Sequence, residues 1–368
     1  MKILIAPDSF KGTISAIDAA KAIADGWRKV RGNDEITIAP LADGGEGTLD
    51  AIAHIHGGTI MPLSVVGPDS RTVEARWLLL ADGRAIVELA SASGITHMQQ
   101  LDAMKAHTFG FGELLKSAAS HPLTKEIIAT VGGSASTDAG VGALMALGYE
   151  FFDENGQSVA LGGENLAKIK SVEARDVYLP TCPVKVLTDV TNPLLGMKGA
   201  AHVFAPQKGA NTADIEVLED GLENFAAITS GNIGVAGSGA AGGTAFGLAT
   251  LWGAKIESGA TYIFDLLGIE NEIKSADLII TGEGALDSQS WDGKVIGALA
   301  DLTERNSSRL WAIVGSDKSV QKNPQLNQVI LLSSLAGSTD KAISHPRHWL
   351  ERAGEEAALL FQSEIAKN

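Results

Sequence analysis

Cysteine is nearly absent from this chain. Its 368 residues hold one, Cys182, which excludes an intrachain disulfide framework and fits a reducing compartment. Positive charge is also scarce: 29 Lys and Arg stand against 44 Asp and Glu, a formal net charge of −15. A phosphate backbone needs clustered basic side chains, so a nucleic-acid partner is excluded. A nucleotide site, which needs only a few local donors, is not. The G-x-x-x-x-G-K-[ST] phosphate loop does not occur, and the protein-kinase motif set is missing. No His/Cys spacing fits a zinc site; His54 and His56, two apart, fall on different helix faces. Long apolar runs are missing too. The uncharged stretch Asn224–Ala254 is rich in glycine and poor in Leu and Ile, whereas a spanning helix needs roughly 20 predominantly apolar residues. No membrane partner is expected. The first residues already read as a strand rather than a signal peptide, which points to a cytoplasmic location.

What the chain does have is one event repeated five times: a short aliphatic run ends in Gly, Ser/Thr and carboxylates. Lys2–Pro7 runs into Asp8-Ser9-Phe10-Lys11-Gly12-Thr13. Ile36–Leu41 runs into Ala42-Asp43-Gly44-Gly45-Glu46-Gly47-Thr48. Ile127–Val131 runs into Gly132-Gly133-Ser134-Ala135-Ser136-Thr137-Asp138. Val184–Val190 carries Asp189 and leads to Thr191-Asn192-Pro193. Asp277–Thr281 runs into Gly282-Glu283-Gly284-Ala285-Leu286-Asp287. Such runs read as buried strands of α/β sheets. Ligands of open α/β sheets bind at the carboxyl ends of strands, so five such ends point to a phosphate ligand and a divalent cation.

The first 60 residues predict two β-loop-α units. The first helix starts near Ser15, with Ser15 and Asp18 as a variant capping box; the second follows Thr48 and stops at Gly57-Gly58. Three strand-like runs over residues 62–90 predict an antiparallel patch. After Asp265 the pattern is β-α-β again, closing on a helix around His348–Ala366. The two ends resemble each other, which predicts one discontinuous α/β domain over 1–72 and 265–368, and an inserted mixed-sheet α/β domain over 73–264.

Several motifs carry chemistry. Gly132, Gly133, Ser134 and Ser136 precede an apolar helical run: small residues admit a phosphate and a helix N-terminus favours it, although a tight turn capped by Ser and Asp138 uses the same N–H groups. Gly239, Gly242 and Gly243 offer a second glycine-rich anion loop ahead of a helix over Thr244–Trp252. Lys11 and Lys208 are the cations nearest glycine loops, suited to a transferring phosphate. Asp43, Glu46, Asp189, Glu283 and Asp287 are the loop carboxylates that can hold Mg²⁺ or accept a hydroxyl proton; a turn-forming role is the plain alternative for each. A literal G-x-G-x-x-G at Gly237–Gly242 leaves a nicotinamide-dependent oxidoreductase as a rival, although the residues before it make a poor strand.

Read together, IAPDSFKGT, LADGGEGT, VGGSASTDAG, DVTNPL, FAPQKGA, GSGAAGG and TGEGALDSQSWDGK resemble, in order and from end to end, the bacterial glycerate kinase family of the glycerate 2-kinase class. The resemblance implies phosphorylation of D-glycerate from ATP with Mg²⁺, two α/β domains, one flavodoxin-like and built from both chain ends, and a site in the cleft between them. On that basis Lys11, Asp189, Glu283 and Asp287 are expected to be catalytic, with Asp189 and Asp287 on the metal. Asp8, Ser9, Lys11, Asp43, Gly44, Gly45, Glu46, Gly239, Gly242 and Gly243 are expected on the substrate. Gly132, Gly133, Ser134, Ser136, Lys208 and Lys294 are expected on the nucleotide. A homodimer is an open expectation. The chain departs from the family in Ala285-Leu286, where Arg-Ile is common, in Ser136-Thr137-Asp138-Ala139-Gly140, where Thr-Asn-Asp-Gly-Gly is common, and in Thr188, where Cys is frequent. With Ala139 and Ala285 in these places, a catalytically altered metabolite sensor on the same fold is a further alternative.

Overall fold

The computed structural model describes every residue except 43, 292–294, 307, 319–323 and 367–368. In chain order the strands are β1 (Lys2–Ile5), β2 (Glu35–Ile38), β3 (Thr59–Val66), β4 (Thr72–Leu79), β5 (Arg84–Glu88), β6 (Glu126–Thr130), β7 (Glu150–Phe152), β8 (Ser171–Glu173), β9 (Val184–Thr188), β10 (Lys255–Ser258), β11 (Leu278–Leu286), β12 (Leu310–Asp317) and β13 (Gln328–Leu331). The chain folds into two units, each with its own sheet: Met1–Asp43, Asp50–His56 and Ala260–Asn368 form one, Gly44–Leu49 and Gly57–Gly259 the other.

The first unit carries a five-stranded sheet in the order β13-β12-β11-β1-β2, parallel throughout. Numbered along this unit alone the order is 2-1-3-4-5, the flavodoxin-like doubly wound pattern. The central strands are buried on both faces and therefore read as unbroken aliphatic runs rather than alternating ones. The helix Ala16–Val30 starts where expected: Ser15 Oγ accepts from Asp18 N (3.1 Å). The box is half made, because Ser15 Oγ donates to Asp18 Oδ2 (2.9 Å) instead of the Asp18 carboxylate accepting from the Ser15 N–H. On this helix Trp27 is fully buried, packs 5.6 Å from the Phe361 ring, and donates Nε1–H to Asp34 Oδ2 (3.1 Å). The C-terminal helix Pro346–Ile365 lies very close to it: a Cβ on Gly26 would stand 1.9 Å from Glu351 O, and one on Gly354 2.2 Å from Ile23 O. Only glycine permits that approach.

The second unit carries a six-stranded mixed sheet, β10-β9-β6-β5-β4-β3, with a small β7–β8 hairpin beside it. Strands β5, β6, β9 and β10 are parallel; β3, β4 and β5 form the predicted antiparallel patch. β3, placed before the expected boundary at residue 72, pairs with β4 along its whole length and belongs to this unit. The core of the unit gathers Trp77, Phe111, Phe151, Phe225 and Phe246 with the aliphatic residues of the sheet.

Candidate active site

In the second unit the carboxyl ends of β5, β6 and β9 lie at one edge of the sheet, since these strands are parallel and adjacent. Three expected segments meet there. Gly132 N donates to Gly44 O (3.1 Å), and a Cβ on Gly132 would lie 2.5 Å from Gly45 Cα. A Cβ on Gly44 would lie 3.6 Å from Asp189 Oδ2. Glu88, the last residue of β5 and buried, holds this turn in place: Oε1 accepts from Gly47 N (3.2 Å) and Oε2 from Leu49 N (3.0 Å), at the start of the helix Thr48–His56. Glu46 itself is exposed.

Lys208 completes the arrangement. It ends the short 3-10 turn Pro206–Lys208, is 3% exposed, and donates from Nζ to Ser134 Oγ (2.8 Å) and to Ser136 O. Burial pushes its ammonium down to about 7, against an opposing pull from the Asp138 carboxylate. Asp138 is fully buried. Its Oδ2 accepts from Thr108 N (2.9 Å), Thr108 Oγ1 (2.8 Å) and Gly142 N (3.1 Å), and its Oδ1 from Gly140 N (3.2 Å). Thr108 Oγ1 accepts in turn from Ala143 N (2.9 Å). The hydroxyls of Ser136 and Thr137 are buried with no hydrogen-bond partner. A buried cation beside two unspent hydroxyls is a setting for an anion. The expected helix-dipole contribution is withdrawn, because the helix that follows, Val141–Ala146, has only six residues. Ala139, where the resembled family has glycine, adopts φ 53°.

The second glycine loop packs closely against its neighbours. Ala241, Gly242 and Gly243 are all left-handed and kink the helical segment Ala240–Leu251; the regular helix begins after them, at Thr244, where it is expected. A Cβ on Gly242 would stand 2.3 Å from Ser136 O, and Gly242 O accepts from Ala139 N (3.0 Å). Gly239 approaches Pro193 O just as closely. These glycines let one loop back onto the Ser136–Ala139 loop. The residues before Gly237 are turn, not strand, so the dinucleotide fingerprint lacks its context.

In the first unit the switch point of the sheet lies between β1 and β11. Backbone pairing continues past β1: Ala6 N donates to Ile280 O and Asp8 N to Gly282 O, both 2.8 Å. Asp8 is buried and its Oδ1 accepts from Ser9 N (2.6 Å); Lys11 is exposed. Gly282–Leu286 is not the expected loop but the second half of β11, with Glu283 opposite Val314 and Ala285 opposite Ser316 on β12. Asp287 follows the strand and caps the 3-10 turn Ser288–Trp291, its Oδ1 accepting from Ser290 N (3.3 Å). Asp43 and Lys294 lie outside the described residues.

Sequence reasoning thus named Ser134, Ser136, Lys208, Gly44, Gly132 and Asp189, which the second unit gathers. It missed Glu88, Thr108 and His107, and took Asp138 only as a cap. His107 is buried, and burial holds it below the usual imidazole range against the Asp138 and Asp69 carboxylates. Its Nδ1 accepts from Phe109 N (3.4 Å), so the ring proton sits on Nε2 and goes to Ser70 Oγ (3.0 Å). That Ser–His pair is structural, as the ring cannot also take the hydroxyl proton. Among the described residues no three of His, Cys, Asp and Glu form a ready-made metal cage. No described helix is long and apolar enough to cross a membrane.

Two α/β units with glycine, hydroxyl and carboxylate loops at strand ends define a kinase of small molecules once known proteins are compared. Residues 3–362 match the model of the glycerate kinase family. The chain belongs to that family. It is 36% identical over 355 residues to the glycerate 2-kinase of Escherichia coli K12, covering 93% of each chain. It is 34% identical over 372 residues to the glycerate kinase of Bacillus subtilis 168, covering 97% of each. A solved structure attributed to a glycerate kinase 2 of Salmonella typhimurium LT2 superposes with a TM-score of 0.81 at 34% identity, covering 100% of this chain and 99% of that one.

Proposed function

We propose that this kinase transfers the terminal phosphoryl group of ATP, taken as its Mg²⁺ complex, to the 2-hydroxyl of D-glycerate, giving 2-phosphoglycerate. The observation that carries the reading is Lys208, a buried cation hydrogen-bonded into the Gly132–Ser136 loop at the carboxyl ends of parallel strands. Phosphoryl transfer asks little covalent chemistry of a protein. It asks for positioning and for neutralised charge on the phosphate oxygens. Lys208, with the Ser134, Ser136 and Thr137 hydroxyls, supplies donors for those oxygens. Asp189 is assigned the metal, and Lys11 is assigned an anionic group of glycerate or of the phosphate in flight. Glu283 and Asp287 are assigned proton acceptance or a second metal contact, and Asp8, Ser9 and the Gly44–Glu46 turn the substrate. The 2-position is supported by the name of the Escherichia coli relative. A cytoplasmic location and a homodimer remain sequence expectations within this proposal.

The test is ADP release coupled to absorbance, with ATP, Mg²⁺ and a panel of small hydroxy acids, followed by ³¹P NMR of the product. Turnover selective for D-glycerate with phosphate on the 2-oxygen, abolished by a chelator, is the expected outcome. A 3-phosphoglycerate product overturns the regiochemistry. An absence of any turnover with glycerate overturns the reading and favours a sensor.

A further inference from the structure

Asp138 lies outside every role assigned above, yet it is a fully buried carboxylate with several donors. Four donors converge on it, from Thr108 before one helix and from Gly140 and Gly142 around the start of another. These four bonds fix the carboxylate in one place. Lys208, by contrast, has only a hydroxyl and a carbonyl as bonded partners. A buried ammonium with neutral partners is costly unless an opposite charge is near. Among the described residues, the charged or titratable groups on the segments around Lys208 include Asp138 on the Gly132–Asp138 loop, Asp102, Lys105 and His107 before the helix Phe109–Ser120, Glu164 on the 3-10 turn Gly163–Lys168, His202 on the helix Ala200–Phe204 and Asp214 on the helix Thr212–Thr229. Of these, Asp138 alone acts on the ammonium, and it acts through space.

Building on the proposed phosphoryl transfer, we infer that Asp138 is a positioning residue with two linked tasks: it fixes the turn after the Gly132–Thr137 loop through Thr108, and it is the counter-charge that keeps Lys208 cationic for an anionic ligand. Neutral Lys208 is a poor phosphate partner, so removing this charge disarms the loop without touching the ligand.

The experiment separates charge from scaffold. Protein labelled with [¹³C]lysine is titrated by NMR, with the Lys208 Cε signal assigned by its loss in Lys208→Arg. Asp138→Asn is expected to move the Lys208 midpoint down by at least one pH unit. Thr108→Val, which removes one bond to the same carboxylate and keeps its charge, is expected to leave the midpoint within a few tenths of a unit. The alkaline limb of kcat/KM for glycerate should follow the same pattern. A midpoint unchanged in Asp138→Asn, or moved equally by Thr108→Val, overturns the inference. Should Asp138→Asn not fold, the wild type decides: an Asp138 Cγ signal showing a protonated carboxyl anywhere between pH 6 and 9 overturns it, and an ionised one throughout supports it. The titration needs no turnover, so a chain inactive on glycerate would refute the proposed function and leave this result standing.

Discussion

Replacing Lys208 with methionine should make the protein worse as an enzyme and relatively more stable near neutrality. The magnitude follows from the burial of its ammonium. Unfolded, the side chain holds its proton up to 10.5; folded, it lets go at about 7. Between those values the unfolded chain binds more protons than the folded one, so stability rises with pH across that window. The penalty for burying this one group is about 4 kcal/mol at pH 7 and about 2 kcal/mol at pH 9, from the pKa difference and the proton concentration. Methionine has a similar length, fills the space and carries no such penalty. It does forfeit the bonds to Ser134 Oγ and Ser136 O, a loss of about 1–3 kcal/mol that does not vary with pH. The stability of wild type minus Lys208→Met should therefore increase by about 2 kcal/mol between pH 7 and pH 9, since other titrating groups cancel in the difference. Urea unfolding of both proteins at each pH measures it. Lys208→Met should also lose on the order of 10²–10³ in kcat, as for one electrostatic stabiliser of a transition state. A pH-independent stability difference would show that Lys208 does not change charge in this window. Full activity in the variant would remove Lys208 from the chemistry altogether.

Asp189→Asn should lower the phosphorylation rate by about 10²-fold or more, the range for losing a base or metal contact; a folded variant with wild-type turnover would take Asp189 out of the site. Lys11→Ala should cost roughly 2–4 kcal/mol in kcat/KM with little change in melting temperature, because the side chain is exposed; the opposite pattern would mark it as structural. Gly242→Ala should destabilise by about 3 kcal/mol or more, since its φ is +65° and the new methyl would lie 2.3 Å from Ser136 O; a denaturation midpoint like wild type would show that the two loops are not packed as described. Ser230→Gly, at the left-handed exposed end of the helix Thr212–Thr229, should raise stability by about 1 kcal/mol, readable as a shift in the urea midpoint.

How much of this was legible in the sequence depended on the reach of each interaction. Runs such as Ile3–Ile5, Ile127–Thr130 and Leu278–Thr281 announce buried parallel strands because both their faces are covered, so no alternation dilutes the signal. The antiparallel patch was legible from turn residues at Pro68-Asp69-Ser70 and Ala81-Asp82-Gly83. Gly282–Leu286 was misread as a loop, since glycine and glutamate are poor strand formers; its partners Ile313–Asp317 lie some thirty residues further on, and tertiary pairing overrode local preference. In the site, Ser134, Ser136 and Lys208 were legible from residue type beside glycine. Their meeting was not, being a contact across 72 to 74 positions. Glu88 and Thr108 left no signal at all: each does its work on backbone N–H groups far along the chain, and nothing in a glutamate ending a strand or a threonine before a helix reveals which N–H it will find. The capping box that does form in full, Asn211 with Asp214, went unnoticed beside the half-formed one at Ser15.

The seam between β1 and β11 bears on how the protein is made. Lys2–Ile5 finds its neighbour at Leu278–Ile280, and the helix Ala16–Val30 finds its packing partner in Pro346–Ile365. A ribosome adding about 5–20 residues per second therefore leaves the first strand and its helix without their permanent company for most of a round of translation. Throughout that interval the apolar faces of Ile3, Ile5, Ile23 and Trp27, later buried, have only local company. The inserted unit owes nothing to that delay, because its strands pair among residues 59–258 and can close as soon as they emerge. The newborn chain is thus an almost finished middle with an apolar leading end that waits for the helix Pro346–Ile365.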